Sequence, residues 1–411
     1  MHILMVADGR SPITKAWIRD LIATGYEVSL VSSYPCEKPH AVRDLYILPV
    51  GFSQFGGAQV SSGNGDKSAL NFHPLLNLLK KYRSRFLALR YWVAPLSLAW
   101  YQPQLRRLIR KIVPDVVHAL RIPYEGMLSL ATPINIPLVV SIWGNDLTLH
   151  APKNFLMRSL TRRVLQRADA LITDVQRDLA LAKKWGFDLE TKPNMVALTS
   201  GGIDLAVMAS IQYADTDKII GGIPENCPVI INPRGIRPGY VRNDTFFAAI
   251  PIFLRLWQGD VLFVCPSMAG QPQAEQWVSD YGISRNVRLL PFLSQQQLWM
   301  LFKRSVIMTS ITTHDGTPNS LLESISLGSF PIVGDIESLR EWVVDGENGL
   351  LVNPDDAEAL AHAWIRALKD DELRKNAGIR NLELLRQKAD RNKMRSERDR
   401  LYSQIRNHPE F

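Results

Sequence analysis

Residues 314–334, HDGTPNSLLESISLGSFPIVG, place two carboxylates around the start of an apolar helical pattern. Asp315 lies in a loop with Gly316, Thr317 and Pro318. The pattern begins at Asn319 and runs through Ser320 and Leu321 to Glu323. The first turn of a helix presents unpaired N–H groups at the positive end of its dipole, which suits a phosphate. Asp315 on the loop side and Glu323 one turn into the helix can accept hydrogen bonds from hydroxyls. That combination could hold a ligand with both phosphates and hydroxyls, such as a sugar nucleotide. An ordinary capped helix with a surface acid is the competing reading.

A second cluster is cationic. The apolar run at residues 229–232 leads into PRGIRPGYVR, with Arg234, Arg237 and Arg242 inside nine residues. Arginine stays charged and binds phosphate bidentately, so three of them between turn residues favour an anion over a merely solvated loop. His118 ends the run VVHA at residues 116–119. The carboxyl end of a parallel strand is where α/β proteins bind ligands, although a core histidine with satisfied hydrogen bonds fits there equally. Gly9, in the loop after the first apolar run, needs no ligand to explain it.

These residues must be positioned by the elements around them. Residues 2–7, 13–24 and 27–32 read as strand, amphipathic helix and strand, with Gly25 closing the helix. Strands are expected at 116–119, 137–142 and 170–173, with helices at 159–167 and 176–185. Residues 51–66 read as a long loop, and residues 76–111 as a basic helix. A second alternation starts near residue 228, with strands at 229–232, 261–265, 287–290, 305–309 and 330–333. Helices at 245–257, 273–281, 295–304, 321–327 and 339–342 lie between and after them. Residues 357–368 and 371–406 read as polar helices. The fold class is therefore α/β, with two Rossmann-like doubly wound domains expected to face each other across a cleft. The expected domains are 1–205 and 206–385, and a helix over 386–411 is expected to pack back on the first domain.

Composition sets the outer bounds. The chain has 411 residues, a formal net charge of +8 and 46% hydrophobic residues, which exclude wholesale disorder. Residues 1–190 hold 24 basic and 14 acidic residues, whereas residues 191–411 hold 24 and 26, so the excess lies in the first half. Cys36, Cys227 and Cys265 are too few and too far apart for a disulfide framework. The first apolar run is too short for a signal peptide. Cytoplasmic placement, with peripheral contact on the inner face of a membrane, is the expectation. No His/Cys/Asp cluster has metal-ligand spacing.

The second half resembles the retaining glycosyltransferases of family 4, which have the GT-B fold. That family carries Glu, seven residues, then Glu, ahead of a Pro-Val-Val-like strand. Here Glu323 is the second acid, Asp315 replaces the first, and Pro331-Ile-Val333 follows. Glu341-Trp-Val-Val-Asp-Gly346 and Asn348-Gly-Leu-Leu-Val352 match the family's next run. The resemblance extends from the first strand to about residue 365 and is weaker in the first half. It implies that Arg234 neutralises a donor diphosphate. Gly239 stands at the family's Lys position, leaving the second charge to Arg237 or Arg242. Met268, Pro291 and Leu293 would lie in loops around the nucleotide base. Gly9 would lie near the diphosphate, and Trp143 replaces the family histidine beside the donor sugar.

The implied activity is a metal-independent retaining hexosyl transfer from a nucleoside-diphosphate sugar, UDP-glucose first, without a cofactor. The acceptor would be a polysaccharide or a lipid-linked saccharide. Asp315, His118 and Arg234 would act by positioning and electrostatics, with a leaving phosphate oxygen taking the acceptor proton. A sugar-nucleotide-binding protein of the same fold without transferase activity is the alternative, motivated by Asp315 and Trp143. Nucleic acid, which the basic composition allows, is not an expected partner because no motif for it is present. The basic helix region, with Lys80, Lys81, Arg83, Arg85, Arg106, Arg107, Arg110 and Lys111 among aromatic residues, could instead meet an anionic membrane.

Overall fold

The computed structural model describes residues 1–51, 83–198, 201–213, 216–222, 224 and 226–406, with the side chains of 83–89 and 217 excepted. Most of the expected 51–66 loop, the start of the 76–111 helix, and Lys80 and Lys81 lie outside the described residues. The chain divides into two compact units. One comprises residues 1–174, 178–201 and 397–411; the other comprises 175–177 and 202–396.

The first unit is built on a seven-stranded parallel sheet. Its strands are β1 (His2–Ala7), β2 (Glu27–Ser32), β3 (Leu45–Ile47), β4 (Val116–Ala119), β5 (Leu138–Ile142), β6 (Ala170–Thr173) and β7 (Asn194–Val196). Their order is β3-β2-β1-β4-β5-β6-β7. Every residue of β1 and β5 is buried, as expected for parallel strands covered on both faces. Each fully buried Leu, Ile or Val there contributes about 1.5–3 kcal/mol. Helix α1 (Pro12–Ala23) starts with proline at its first position and ends at Gly25, whose φ of +89° suits glycine. The Tyr26 amide bonds back to the Leu21 carbonyl, closing that end. Helix α2 (Arg83–Ile112) follows the undescribed stretch, and α3 (Phe155–Arg167) leads into β6.

The second unit carries a six-stranded parallel sheet. Its strands are β8 (Val229–Ile231), β9 (Leu262–Cys265), β10 (Val287–Leu289), β11 (Ile307–Ser310), β12 (Phe330–Gly334) and β13 (Leu350–Val352), ordered β10-β9-β8-β11-β12-β13. One side of its core is aromatic. Phe246, Phe253 and Trp364 surround Phe263 with ring centroids 4.9–6.1 Å apart, and the Trp364 indole N–H donates to Thr309 Oγ1 at 2.9 Å. Aromatic residues rarely bury a polar N–H without such a partner.

The three-residue strands β3, β7 and β13 were not foreseen, because three residues show no period. The helical run expected over 371–406 is two helices, Asp371–Lys388 and Arg391–Arg406. The break has a cause: the Ile203 amide takes the Ala389 carbonyl, and the Arg391 amide donates back to the Ile203 carbonyl. A Cβ on Gly202 would stand 2.8 Å from the Ala389 oxygen, so the chain approaches that closely only as glycine.

Candidate functional site

In the second unit, two loops at the carboxyl ends of neighbouring strands are fastened together. The first follows β8 and the second follows β11. The Thr313 amide donates to the Tyr240 carbonyl at 2.8 Å, and the Arg242 amide to the Ile311 carbonyl at 2.9 Å. A carboxamide network shapes the first loop. Asn232 Oδ1 accepts from the Arg234 amide (3.2 Å), and Asn232 Nδ2 donates to Asn243 Oδ1 (3.0 Å). Asn243 Nδ2 in turn donates to the Gly235 carbonyl (2.7 Å). Gly235 has φ +61°, the left-handed geometry that glycine adopts without strain. The sequence reading passed over Asn232 and Asn243; the signal was polar residues placed directly after a buried strand and at a helix start.

That loop aims Arg234 at the second one. Arg234 is 8% exposed, and its guanidinium donates to Asp315 Oδ2 at 2.6 Å. Asp315 Oδ1 accepts from the Gly316 amide, and its carbonyl from the Ser338 hydroxyl. The two residues assigned from sequence to a diphosphate and to sugar hydroxyls thus hold each other. The buried Arg234 Nε has no hydrogen-bond partner.

The loop then enters helix α4 (Asn319–Ser326). Pro318 is its N-cap and supplies no side-chain cap. Neither the Asn319 nor the Ser320 amide has a hydrogen-bond partner among the described residues, and the buried Ser320 hydroxyl has none either. Leu321, Leu322 and Ile325 bury the other face and fix the helix start. Thr317 Oγ1 accepts from the Trp342 indole N–H at 2.8 Å, which pins the loop from beneath. Glu323, half-buried on the same helix, accepts from Gln295 Nε2 at 3.1 Å. Burial pushes its carboxyl up to about 7. The site therefore offers an arginine with a spare donor, two open amides and two carboxylates, all within one unit. No cluster of His, Cys, Asp or Glu suited to a metal is found among the described residues.

Other predicted residues fall elsewhere. Arg237 is exposed, whereas Arg242 is taken by Asp244 at 2.8 Å and by Asp355. Met268 and Leu321 are fully buried. Met268 and Ala269 donate to the Leu290 carbonyl, and Ser267 to the Pro291 carbonyl, which brings the exposed Pro291 and half-buried Leu293 beside the 267–270 turn.

Gly9, His118 and Trp143 belong to the first unit. His118 is fully buried, and its ring nitrogens hydrogen-bond the Tyr402 hydroxyl (2.7 Å) and the Ser141 hydroxyl (2.9 Å). Burial pushes its pKa down to about 3, so it stays neutral. It is a satisfied core histidine and cannot touch a substrate, which overturns its catalytic assignment. The Gly9 amide donates to Ser32 Oγ, and a Cβ there would strike Cys36 Sγ at 2.4 Å. Gly9 is thus closely packed by side chains, and its N–H is taken by Ser32. Trp143 lies under the Arg121 guanidinium, 5.0 Å from its ring centroid.

Comparison with known proteins agrees with this architecture. Residues 259–383 match the family profile described as glycosyl transferases group 1, and residues 9–192 match the glycosyl transferase 4-like domain. A lipopolysaccharide core biosynthesis glycosyltransferase, LpsE of Rhizobium meliloti, is 27% identical over 163 residues, 39% of this chain and 46% of the relative. The chain thus spans about half the length of that relative. A GDP-mannose:cellobiosyl-diphosphopolyprenol alpha-mannosyltransferase of Xanthomonas campestris is 29% identical over 84 residues, 20% of this chain and 22% of that protein. Among solved structures, sucrose-phosphate synthase from Thermosynechococcus elongatus superposes with a TM-score of 0.71 at 14% identity, covering 98% of both chains. Anabaena Alr3699/HepE in complex with UDP superposes at 0.70 and 14% identity, covering 98% of this chain and 100% of that one.

Proposed function

The chain belongs to the group 1 glycosyltransferases and has the GT-B fold, and on that premise we propose that it moves a hexose from a nucleoside-diphosphate sugar to a saccharide acceptor. One observation carries the reading. Arg234 Nε is buried without a partner in the same loop pair as the open amides of Asn319 and Ser320. Unpaired buried donors are costly, and a diphosphate would satisfy them. Glu323, one turn along α4, would accept from ribose hydroxyls, and the turns at 267–270 and 290–293 would flank the base.

Under this reading UDP-glucose is the donor, and transfer retains the anomeric configuration. A leaving phosphate oxygen takes the acceptor proton. Arg234 and the helix amides meet the diphosphate charge, which needs no divalent cation. Asp315 must exchange its hold on Arg234 for the sugar hydroxyls as the donor arrives. The acceptor is a polysaccharide or lipid-linked saccharide. Titration calorimetry with UDP-, GDP- and ADP-sugars tests the donor, and NMR of the product anomeric carbon, with and without EDTA, tests the chemistry. The reading fails if none of the three classes binds. Tight binding without turnover on any saccharide extract would instead make the chain a sugar-nucleotide-binding protein.

A peripheral place on the inner face of a membrane is part of the proposal. Helices α2 and α3 contain no acidic residue. On α2, the exposed Trp92, Leu96 and Trp100 recur every fourth residue, and Trp92 meets the exposed Phe155 of α3 edge-on at 5.7 Å. The exposed cations Arg107, Arg110, Lys111, Arg158, Arg162 and Arg163 make no ion pair among the described residues. Apolar rings beside unpaired cations suit an anionic lipid surface. Co-sedimentation with vesicles containing phosphatidylglycerol, but not with pure phosphatidylcholine, is expected. Recovery with neither would refute membrane contact, and equal recovery with both would refute its dependence on anionic lipid.

A further inference from the structure

The first unit holds a cavity of about 260 Å³ at the carboxyl ends of β1, β4 and β5. Its walls are aromatic: Tyr34, Tyr91, Tyr124 and Trp143. Its cations differ in how they are balanced. Arg121 pairs with the fully buried Asp146 at 2.7 Å. Asp8 is taken by Arg10, whose guanidinium lies 3.6 Å from the Tyr34 ring centroid. Arg90 has no ion pair among the described residues. Among the described residues it is held by the Tyr34 hydroxyl and by the faces of Tyr34 (5.6 Å) and Tyr124 (5.1 Å).

The hydrogen-bond deficit is equally one-sided. Three atoms of the lining residues are buried without a partner: Arg90 Nε, Arg121 Nε and Trp143 Nε1. All three are N–H donors. The wall carboxylate Glu125 is by contrast fully engaged. It accepts from the Ser33 hydroxyl at 2.5 Å and from the Tyr124 amide at 2.8 Å, and burial pushes its carboxyl above the usual range. A cavity with surplus donors and one unmatched guanidinium is complementary to an anion. Aromatic walls present faces on which a sugar ring stacks. The volume lies just under the usual range for ligand pockets, about 300–1,000 Å³. It has room for one ring and one charged group.

The geometry points to an acidic monosaccharide unit as the occupant of this cavity: a sugar ring bearing a phosphate or a carboxylate, with Arg90 as its anion anchor. The inference rests on the transferase reading, within which it gives the acceptor its chemical class. Arg90 takes the charged group, while Trp143 and the tyrosines take the ring. Phosphate and carboxylate share the recognition chemistry, and separate probes distinguish them.

The test is direct binding in the presence of saturating UDP, so that a phosphorylated probe cannot report on a nucleotide site. Methyl glucoside, glucuronic acid, glucose 1-phosphate and inorganic phosphate are compared by saturation-transfer NMR and titration. At least one acidic sugar is expected to bind ten-fold or more tightly than methyl glucoside, and more tightly than inorganic phosphate. Whichever acidic sugar binds better identifies the anion. Arg90→Gln should erase the preference, whereas Arg90→Lys, which keeps the charge and controls for folding, should retain most of it. UDP affinity should be the same in all three proteins. Equal binding of neutral and acidic sugars, a preference that survives Arg90→Gln, or phosphate binding as tightly as its sugar ester would each overturn the inference. Loss of UDP binding throughout would instead sink the donor reading, and the acidic-sugar preference would still stand or fall on Arg90.

Discussion

Arg234 in the second unit and Arg90 in the first both stand beyond the carboxyl ends of parallel strands, and they are held differently. Arg234 is locked to Asp315 at 2.6 Å in a loop pair fixed by backbone bonds. Arg90 rests on two tyrosine rings and makes no ion pair among the described residues. A paired arginine is a latch: an incoming anion must displace the carboxylate, so binding and rearrangement are coupled. An unpaired one is available at once and gives affinity without a switch. The first arrangement suits a substrate whose arrival must move another group, and the second suits a group that only needs to be held.

The largest effect that tests this contrast comes from a third arginine. Arg398 is 3% exposed and ties the last helix to α1 through Asp20, with a further bond to Thr24 Oγ1 at 3.0 Å. Arg398→Ala removes the buried guanidinium that Asp20, Asp399 and Thr24 share, and breaking a buried pair costs about 3–5 kcal/mol. A fall in Tm of about 10 °C is expected by calorimetry. A loss below about 1 kcal/mol would show that buried pairs in this chain do little to hold structure. Next in size, Arg234→Ala should weaken UDP binding about 10–100-fold, the worth of a charge-assisted hydrogen bond. Unchanged affinity would remove the phosphate from this loop.

Asp315→Asn sharpens the latch idea, because the substitution points the opposite way from simple damage. Without the carboxylate charge, Arg234 is released and UDP should bind about as well or up to ~10-fold more tightly. Transfer should nonetheless fall, since the sugar loses its strongest acceptor. UDP binding that falls in parallel with transfer would mean that Asp315 supports the loop and is no latch.

Much of this was legible in the sequence, for physical reasons. Both sheets announced themselves because parallel strands covered on both faces read as continuous apolar runs, as in HILMVA. The helix start at Asn319 was legible from Gly316, Pro318 and the periodic apolar residues that follow. Its pairing partner was half legible: three arginines were visible, but only the fold shows Arg234 turned inward and Arg242 spent on Asp244 and Asp355. His118 was misread because strand-end position says nothing of what covers the ring, and its cover comes from Tyr402, 284 positions away. The Arg90 cavity was illegible, since its walls come from residues scattered between 8 and 150.

The smallest expected effect separates the two units by pH. His118 in the first unit is held near 3, far below its unfolded value of about 6.5. The unfolded chain takes up that proton first, so the first unit loses stability as pH falls from 6.5 towards 3. Glu323 in the second unit is held near 7, above its unfolded value of about 4.3. Here the native state keeps the proton longer, so its contribution is greatest at low pH and is lost as pH rises from about 4.3 through 7. The two contributions slope in opposite directions between about pH 4.3 and 6.5. Glu323→Gln removes one slope, so the variant's Tm should rise relative to the wild type's as pH increases across that window. The same carboxylate should make uridine, which carries no phosphate of its own, bind a few-fold more tightly as pH passes 7, and Glu323→Gln should abolish that dependence. Parallel Tm curves for the two proteins would show that Glu323 titrates as an ordinary surface acid, and would leave α4 an anion site without its hydroxyl acceptor.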